Sequence, residues 1–202
     1  MKIRLILLLS LLGFAGLNAV RATPVDDKPS PVSGWMYFDA PLWDIANEGL
    51  PFRLSLALPS RRDLLTRALF AAEARWTLSV GYAKVYNSFD ATTGIFKNPG
   101  GHAALFSAGR QYRWQLPRVA GAFTPDVVVD FGVHVATRRF PADGTHTNLK
   151  LISGLEWTWA RSGATGEWTV GLVWPHFSNA DLLERNSGYD GLALRVGRQV
   201  RF

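Results

Sequence analysis

Arg75-Trp76-Thr77-Leu78-Ser79-Val80-Gly81-Tyr82 decides the fold of this chain. Large apolar side chains stand at every second position, with small or charged residues between them. Successive side chains of a strand leave opposite faces, so this stretch has one apolar and one polar face. The same period recurs along the sequence. Phe52, Leu54, Leu56 and Leu58 alternate with Arg53, Ser55 and Ala57, and Leu149, Leu151, Leu155 and Trp157 alternate with Asn148, Lys150, Gly154 and Glu156. Val127, Val129, Phe131, Val133 and Val135 alternate with Asp126, Asp130, Gly132 and His134, although Val128 is also apolar.

Eight strands follow from this pattern, at roughly 33–41, 50–59, 73–86, 103–116, 124–138, 147–160, 166–178 and 189–202, with turn residues between them. The first two carry the weakest pattern. The segment Asp63 to Ala72 can instead form a short helix, because Leu64, Leu65, Ala68 and Leu69 share a helical face. That alternative leaves seven or nine strands open. Several strands exceed the five or six residues usual in soluble sheets and match the roughly 9–11 residues with which a tilted strand crosses a bilayer. The expected fold is all-β: an eight-stranded antiparallel transmembrane β-barrel of the outer-membrane type, occupying residues 33–202.

A soluble lipocalin-like barrel would show the same alternation turned inside out. Two features favour the membrane. The last strand ends on Phe202, an aromatic C-terminus that resembles the assembly signal of outer-membrane barrels. Trp114, Trp157, Trp159 and Trp168 lie near strand ends beside short turns, as an interfacial belt requires. Arg198 interrupts the apolar parity of the last strand, and snorkelling to the interface would accommodate it. With both termini periplasmic, 117–123 and 161–165 are short periplasmic turns, and 87–102, 139–146 and 179–188 are outer loops.

The N-terminus agrees with export. Met1-Lys2-Ile3-Arg4 precedes an apolar run from Leu5 to Leu17 broken only by Ser10 and two glycines, and small residues follow at Ala19 and Ala22. This reads as a signal peptide over 1–22, cleaved after Ala22 with Ala19 as second choice. Residues 23–32 read as a flexible polar lead-in. Cleavage removes Lys2, Arg4 and Arg21 and no acid, so Lys plus Arg falls from 22 to 19 against 16 acids. A mature charge of about +3 is an ordinary surface excess that also suits a phosphorylated lipid surface. Basic loops with interleaved aromatics could serve nucleic acid, but export argues against that partner. With no cysteine in the chain, disulfides and thiolate metal sites are excluded.

One hairpin carries candidate chemistry. Trp168, Val170, Leu172, Trp174, His176 and Ser178 share even parity on one strand, as do Asp190, Leu192, Leu194, Val196, Val200 and Phe202 on the next. Setting His176 opposite Asp190 places Trp174 opposite Leu192 and Leu172 opposite Leu194, a register the hydrophobic pattern supports. His176 and Ser178 then leave the same face roughly 6–7 Å apart at the backbone. The imidazole can take the hydroxyl proton, and Asp190 can hold the other ring nitrogen. Asn179 and nearby backbone amides are candidates for an oxyanion hole. This face is the apolar one, so a barrel of this kind points the triad at lipid, near the headgroups of the outer rim.

His176-x-Ser178-Asn179-Ala180, followed by Asn186-x-Gly188-x-Asp190 and a final alternating strand, resembles the PagL family of outer-membrane lipid A 3-O-deacylases. The likeness is specific over 176–202 and architectural elsewhere. It implies an eight-stranded barrel with a Ser nucleophile, a His base and a carboxylate on its exterior, which carry over to Ser178, His176 and Asp190. The implied reaction is hydrolysis of the ester-linked 3-hydroxyacyl chain of lipid A, with no metal or organic cofactor. Two departures stand out. The family acid is often Glu where this chain has Asp190, with Glu184 in the loop as the other acid at hand. Asp181-Leu182 replaces the usual Gly-Leu after Asn-Ala.

The remaining polar groups have plainer readings. A His-x-Ser pair by itself usually solvates a loop; the in-register acid and the resemblance set this one apart. Asn186 and Gly188 read as turn formers. Asp126, Asp130, Glu156, Arg53, Arg75 and Arg195 read as ion pairs filling a narrow barrel, with a proton path as the lesser alternative. His134 reads as a hydrogen-bonded lumen residue, and His102 and His146 as loop residues without a ligand-spaced acid. Gly94 and Gly100-Gly101 show no phosphate-loop pattern. Expected partners are lipid A or lipopolysaccharide and the outer membrane, and the sequence leaves a homodimer open. The alternatives are an outer-membrane phospholipase or acyltransferase using the same triad, and a non-catalytic structural or adhesive barrel.

Overall fold

The period-two segments form eight long strands that close on themselves. In the computed structural model, which describes residues 33–45, 49–60, 64–90, 93–116, 124–142, 144–160, 166–180 and 188–202, these are β1 (Ser33–Asp44), β2 (Gly49–Pro59), β3 (Glu73–Val85), β6 (Gly101–Gln115), β7 (Thr124–Ala136), β8 (Thr147–Ala160), β9 (Glu167–Ser178) and β10 (Tyr189–Arg201). Each pairs antiparallel with its neighbour, and β1 pairs with β10 to shut the barrel. Closure leaves no unpaired sheet edge, which is what lets strands cross hydrocarbon. The expected signal peptide at 1–22 and lead-in at 23–32 lie outside the described residues.

Parity settles which face meets which solvent. Trp76, Leu78, Val80 and Tyr82 of β3 are all about half exposed, whereas Arg75, Thr77 and Ser79 between them are buried. Phe52 and Leu54 of β2, Phe131, Val133 and Val135 of β7, and Leu172, Leu194 and Val196 of the last hairpin continue the apolar exterior. A continuous apolar belt with charges inside is the reverse of a soluble barrel, and water would not tolerate it. The protein is an outer-membrane β-barrel. The lipocalin alternative is thereby excluded.

The lumen is filled, not open. Asp39 accepts from Arg195 Nε at 2.6 Å and also pairs with Arg53. Glu156 accepts from Arg195 at 2.9 Å and from Arg113 at 2.6 Å, and Arg113 continues to Asp126 at 2.5 Å. Arg75 grips Glu73 at 2.6 Å, and Lys150 meets Asp130 at 2.9 Å. Tyr37, under the network, accepts from Arg113 at 3.1 Å. The expected interior residues are all present here. Tyr37, Asp39, Glu73, Arg113 and Lys150 complete a network in which described acids and bases balance, so the buried charge is compensated.

Toward the end that carries Ser178 and Tyr189 the filling turns apolar. Phe140, Phe177 and Tyr189 form one cluster with Ala83, Val85, Ala103, Leu105, Ala136 and Ala142. His134 stacks on Phe177 at 4.5 Å between ring centroids, and Phe177 on Tyr189 at 5.7 Å. Phe177 and Tyr189 are register partners and the inward neighbours of His176 and Asp190. This plug is the floor on which the candidate site rests.

Two local readings change, at 87–102 and at Trp114, and the short helix is present but shorter than its segment. The segment 87–102 contains a short hairpin, β4 (Ser88–Asp90) paired with β5 (Ile95–Asn98), outside the barrel. The expected helix is one turn, α1 (Leu64–Ala68), between β2 and β3. Trp114 is buried against the segment that follows α1, its indole donating to the Leu69 carbonyl at 2.9 Å, so it is not an exposed belt residue. Arg198 gains an account as well: its guanidinium lies 5.3 Å from the Trp168 ring centroid, over the aromatic face, where a cation is attracted by the ring quadrupole.

Candidate active site

The β9–β10 hairpin has the register its apolar residues require. Asp190 pairs with His176, Leu194 with Leu172 and Val196 with Val170. Outward parity therefore aligns Ser178, His176 and Trp174 down β9 beside Asp190 and Leu192 on β10. On the other side β8 sets Leu149 next to Ser178, Leu151 next to His176 and Ser153 next to Trp174. On the β1 side, Ile45 N–H donates to the Asp190 carbonyl at 2.9 Å and fixes the top of β10. A bulge between Pro41 and Trp43 turns both Leu42 and Trp43 outward, and Trp43 pairs with Leu192.

Within this frame the three sequence-predicted residues meet. His176 Nε2 lies 3.0 Å from Ser178 Oγ, and His176 Nδ1 lies 2.9 Å from Asp190 Oδ1. With Nδ1–H donating to the carboxylate, Nε2 carries the lone pair that faces the hydroxyl. The side chains of His176 and Asp190 are 21% and 36% exposed, open to an approaching lipid yet flanked by apolar neighbours. An acid–base–nucleophile relay of this geometry can perform acyl transfer.

Asn179 is also at the hairpin, but it is buried, unlike outward-facing Ser178. Glu184 and Asn186 lie outside the described residues. Among the described residues no cluster of His, Cys, Asp or Glu suits a metal ion. His102 contacts Tyr82 and His146 contacts the Ala136 carbonyl, both away from the triad.

Two residues of the site were not legible as such. Trp174 Nε1 donates to Asp190 Oδ1 at 3.0 Å, so the acid holds two donors on one oxygen. Gly188 has φ +72, and a Cβ there would lie 3.2 Å from Ser178 Cβ and 3.3 Å from His176 Cε1. Its left-handed backbone suits glycine, and Ser178 and His176 close off the space that a side chain would take there. The signal for Trp174 was available in its parity, two residues before His176, but an outward Trp in a barrel reads first as a lipid contact.

A family model described as "PagL: Lipid A 3-O-deacylase (PagL)" matches residues 35–199. Among solved structures, the outer membrane enzyme PagL is 16% identical, with 83% of this chain and 99% of that chain covered and a TM-score of 0.49. The N-terminal β-barrel domain of Pseudomonas aeruginosa OprF is 13% identical, with 84% and 98% covered and a TM-score of 0.43. No curated protein matches the sequence.

Proposed function

The chain belongs to the PagL family of lipid A 3-O-deacylases, and from that premise we propose that Ser178, His176 and Asp190 hydrolyse the 3-O-linked acyl ester of lipid A in the outer leaflet. At the family level it is an esterase acting on lipid A. The residue roles and the lipid species are the proposal.

The observation that carries it is the pair of hydrogen bonds at His176, to Ser178 and to Asp190, on the outward face of the barrel. His176 Nε2 takes the proton of Ser178 as Oγ attacks the ester carbonyl. Asp190 stabilises the imidazolium and holds its orientation. The tetrahedral intermediate collapses, and His176 returns the proton to the departing sugar 3-oxygen. Water, deprotonated by the same Nε2, then attacks the acyl-Ser178 ester and releases the 3-hydroxy fatty acid. N–H donors at and around Asn179 are proposed for the oxyanion, where one donor contributes about 10²–10³ in rate.

The rim location suits this substrate. The sugar and phosphates of lipid A lie at headgroup depth, and the acyl chain can descend over Leu149, Leu151 and Leu155 of β8. All three catalytic groups come from one hairpin of one chain, so turnover needs no second copy, and a homodimer is a separate question of assembly.

Expression of the wild type and Ser178→Ala in a Gram-negative host, with mass analysis of extracted lipid A, tests the reading. Loss of one 3-hydroxyacyl mass with the wild type alone is expected. Unchanged lipid A with fatty acid freed from phospholipid would transfer the triad to a phospholipase. A folded but inert wild type would leave a structural barrel.

A further inference from the structure

We infer that Trp174 is a positioning residue for the acid of the triad: its indole N–H and the imidazole Nδ1 of His176 converge on the same oxygen of Asp190. The inference rests on the roles proposed above and adds a fourth residue to them.

The strand geometry brings this about. Trp174 precedes His176 by two residues and so leaves β9 on the same face. Continuing the register from Asp190–His176 to Ala193–Val173 sets it opposite Leu192, which makes Asp190 its diagonal neighbour across the hairpin. Diagonal pairs on one sheet face are about 7–8 Å apart, within reach of an aromatic side chain and beyond a short one. The indole spans that gap and ends 3.0 Å from Asp190 Oδ1, with His176 Nδ1 2.9 Å from the same atom.

The chemistry explains why that matters. The terminal torsion of an aspartate is broad and roughly two-fold, so one hydrogen bond leaves the carboxylate free to pivot. Asp190 is also partly exposed, where headgroup cations and water compete for it. The indole N–H is a donor only and has no alternative role as an acceptor. A second donor fixed by a large ring beside Leu192 pins Oδ1 where the imidazole needs it. An interfacial Trp that served only as a lipid anchor would turn this N–H toward headgroups or water; here it is directed at the acid.

The test replaces Trp174 with 3-benzothienylalanine, whose sulfur takes the place of the indole N–H while shape and apolarity persist. Trp174→Phe and 7-azatryptophan, which keeps the N–H, accompany it. Folding is checked by heat-modifiable gel mobility, and release of 3-hydroxy fatty acid from lipopolysaccharide in detergent micelles gives kcat and KM. The expected result is a loss of about tenfold in kcat for the isostere and Trp174→Phe, as for loss of a hydrogen bond to a charged group. KM should stay within twofold, and 7-azatryptophan should restore kcat. An isostere with wild-type kcat, or a loss expressed in KM instead, overturns the inference while leaving the triad intact. Wild-type turnover by Ser178→Ala would bring down the triad, and the inference with it.

Discussion

Gly188→Ala is expected to leave a folded barrel with impaired catalysis. Gly188 has φ +72, a left-handed conformation that costs an L-residue about 1–2 kcal/mol. The added methyl would also sit 3.2 Å from Ser178 Cβ, 3.3 Å from His176 Cε1 and 3.3 Å from the Phe177 carbonyl oxygen. Carbon–carbon contacts are optimal near about 3.5–4.0 Å, so Ser178 and His176 must each yield by a few tenths of an ångström. Phe177 cannot yield readily, because it is locked into the aromatic plug with Phe140 and Tyr189. The strain therefore falls on the 3.0 Å His176–Ser178 bond. A full ångström of misplacement costs about 10²-fold in rate, so a few tenths should cost roughly tenfold. The assay is fatty-acid release from lipopolysaccharide by purified protein, with heat-modifiable mobility as the folding control. A folded variant with turnover within twofold of wild type would refute the claim that Gly188 packs against the catalytic pair.

Other perturbations separate site from scaffold. Asp190→Asn should lower kcat by at least about 10²-fold with little change in KM, because it removes the charge that stabilises the imidazolium; unchanged kcat would remove Asp190 from the triad. Glu156→Gln leaves Arg113 and Arg195 facing a neutral amide in the lumen, so urea unfolding in detergent should show a loss of about 3–5 kcal/mol. A loss under about 1 kcal/mol would mean that water or neighbouring acids take up the charge. Tyr189→Phe deletes a buried hydroxyl that has no hydrogen-bond partner among the described residues, so stability should hold or rise. A clear loss in the same unfolding experiment would reveal a partner for that hydroxyl.

The barrel was legible because its two faces meet opposite solvents. Trp76, Leu78, Val80 and Tyr82 face outward while Arg75, Thr77 and Ser79 are buried in a filled, charged lumen, so the period of two carries the whole architecture. Register in the last hairpin was legible for the same reason, since any one-residue slip would turn Leu172 and Leu194 inward. Residues that depart from that rule were harder. Phe177 and Tyr189 lie on the lumen parity because that end of the barrel is plugged by aromatic packing that only the closed structure assembles. Asp39 and Arg113 join the ion network from strands whose own patterns are weak or flanked by aromatics. Trp114 lost its place in the exposed belt because the segment after α1, distant in pattern, folds over it. The Trp174–Asp190 bond depends on a side-chain torsion, and no periodicity encodes that.

The most direct measurement is covalent trapping of the nucleophile. The detergent-solubilised barrel is treated with a long-chain fluorophosphonate, which phosphonylates activated serines, and the modified peptide is mapped by mass spectrometry. The outward-facing triad predicts one adduct, on Ser178, lost in His176→Asn and retained in a variant that replaces a lumen serine such as Ser55→Ala. Modification of another serine, or labelling of Ser178 that persists without His176, would contradict it.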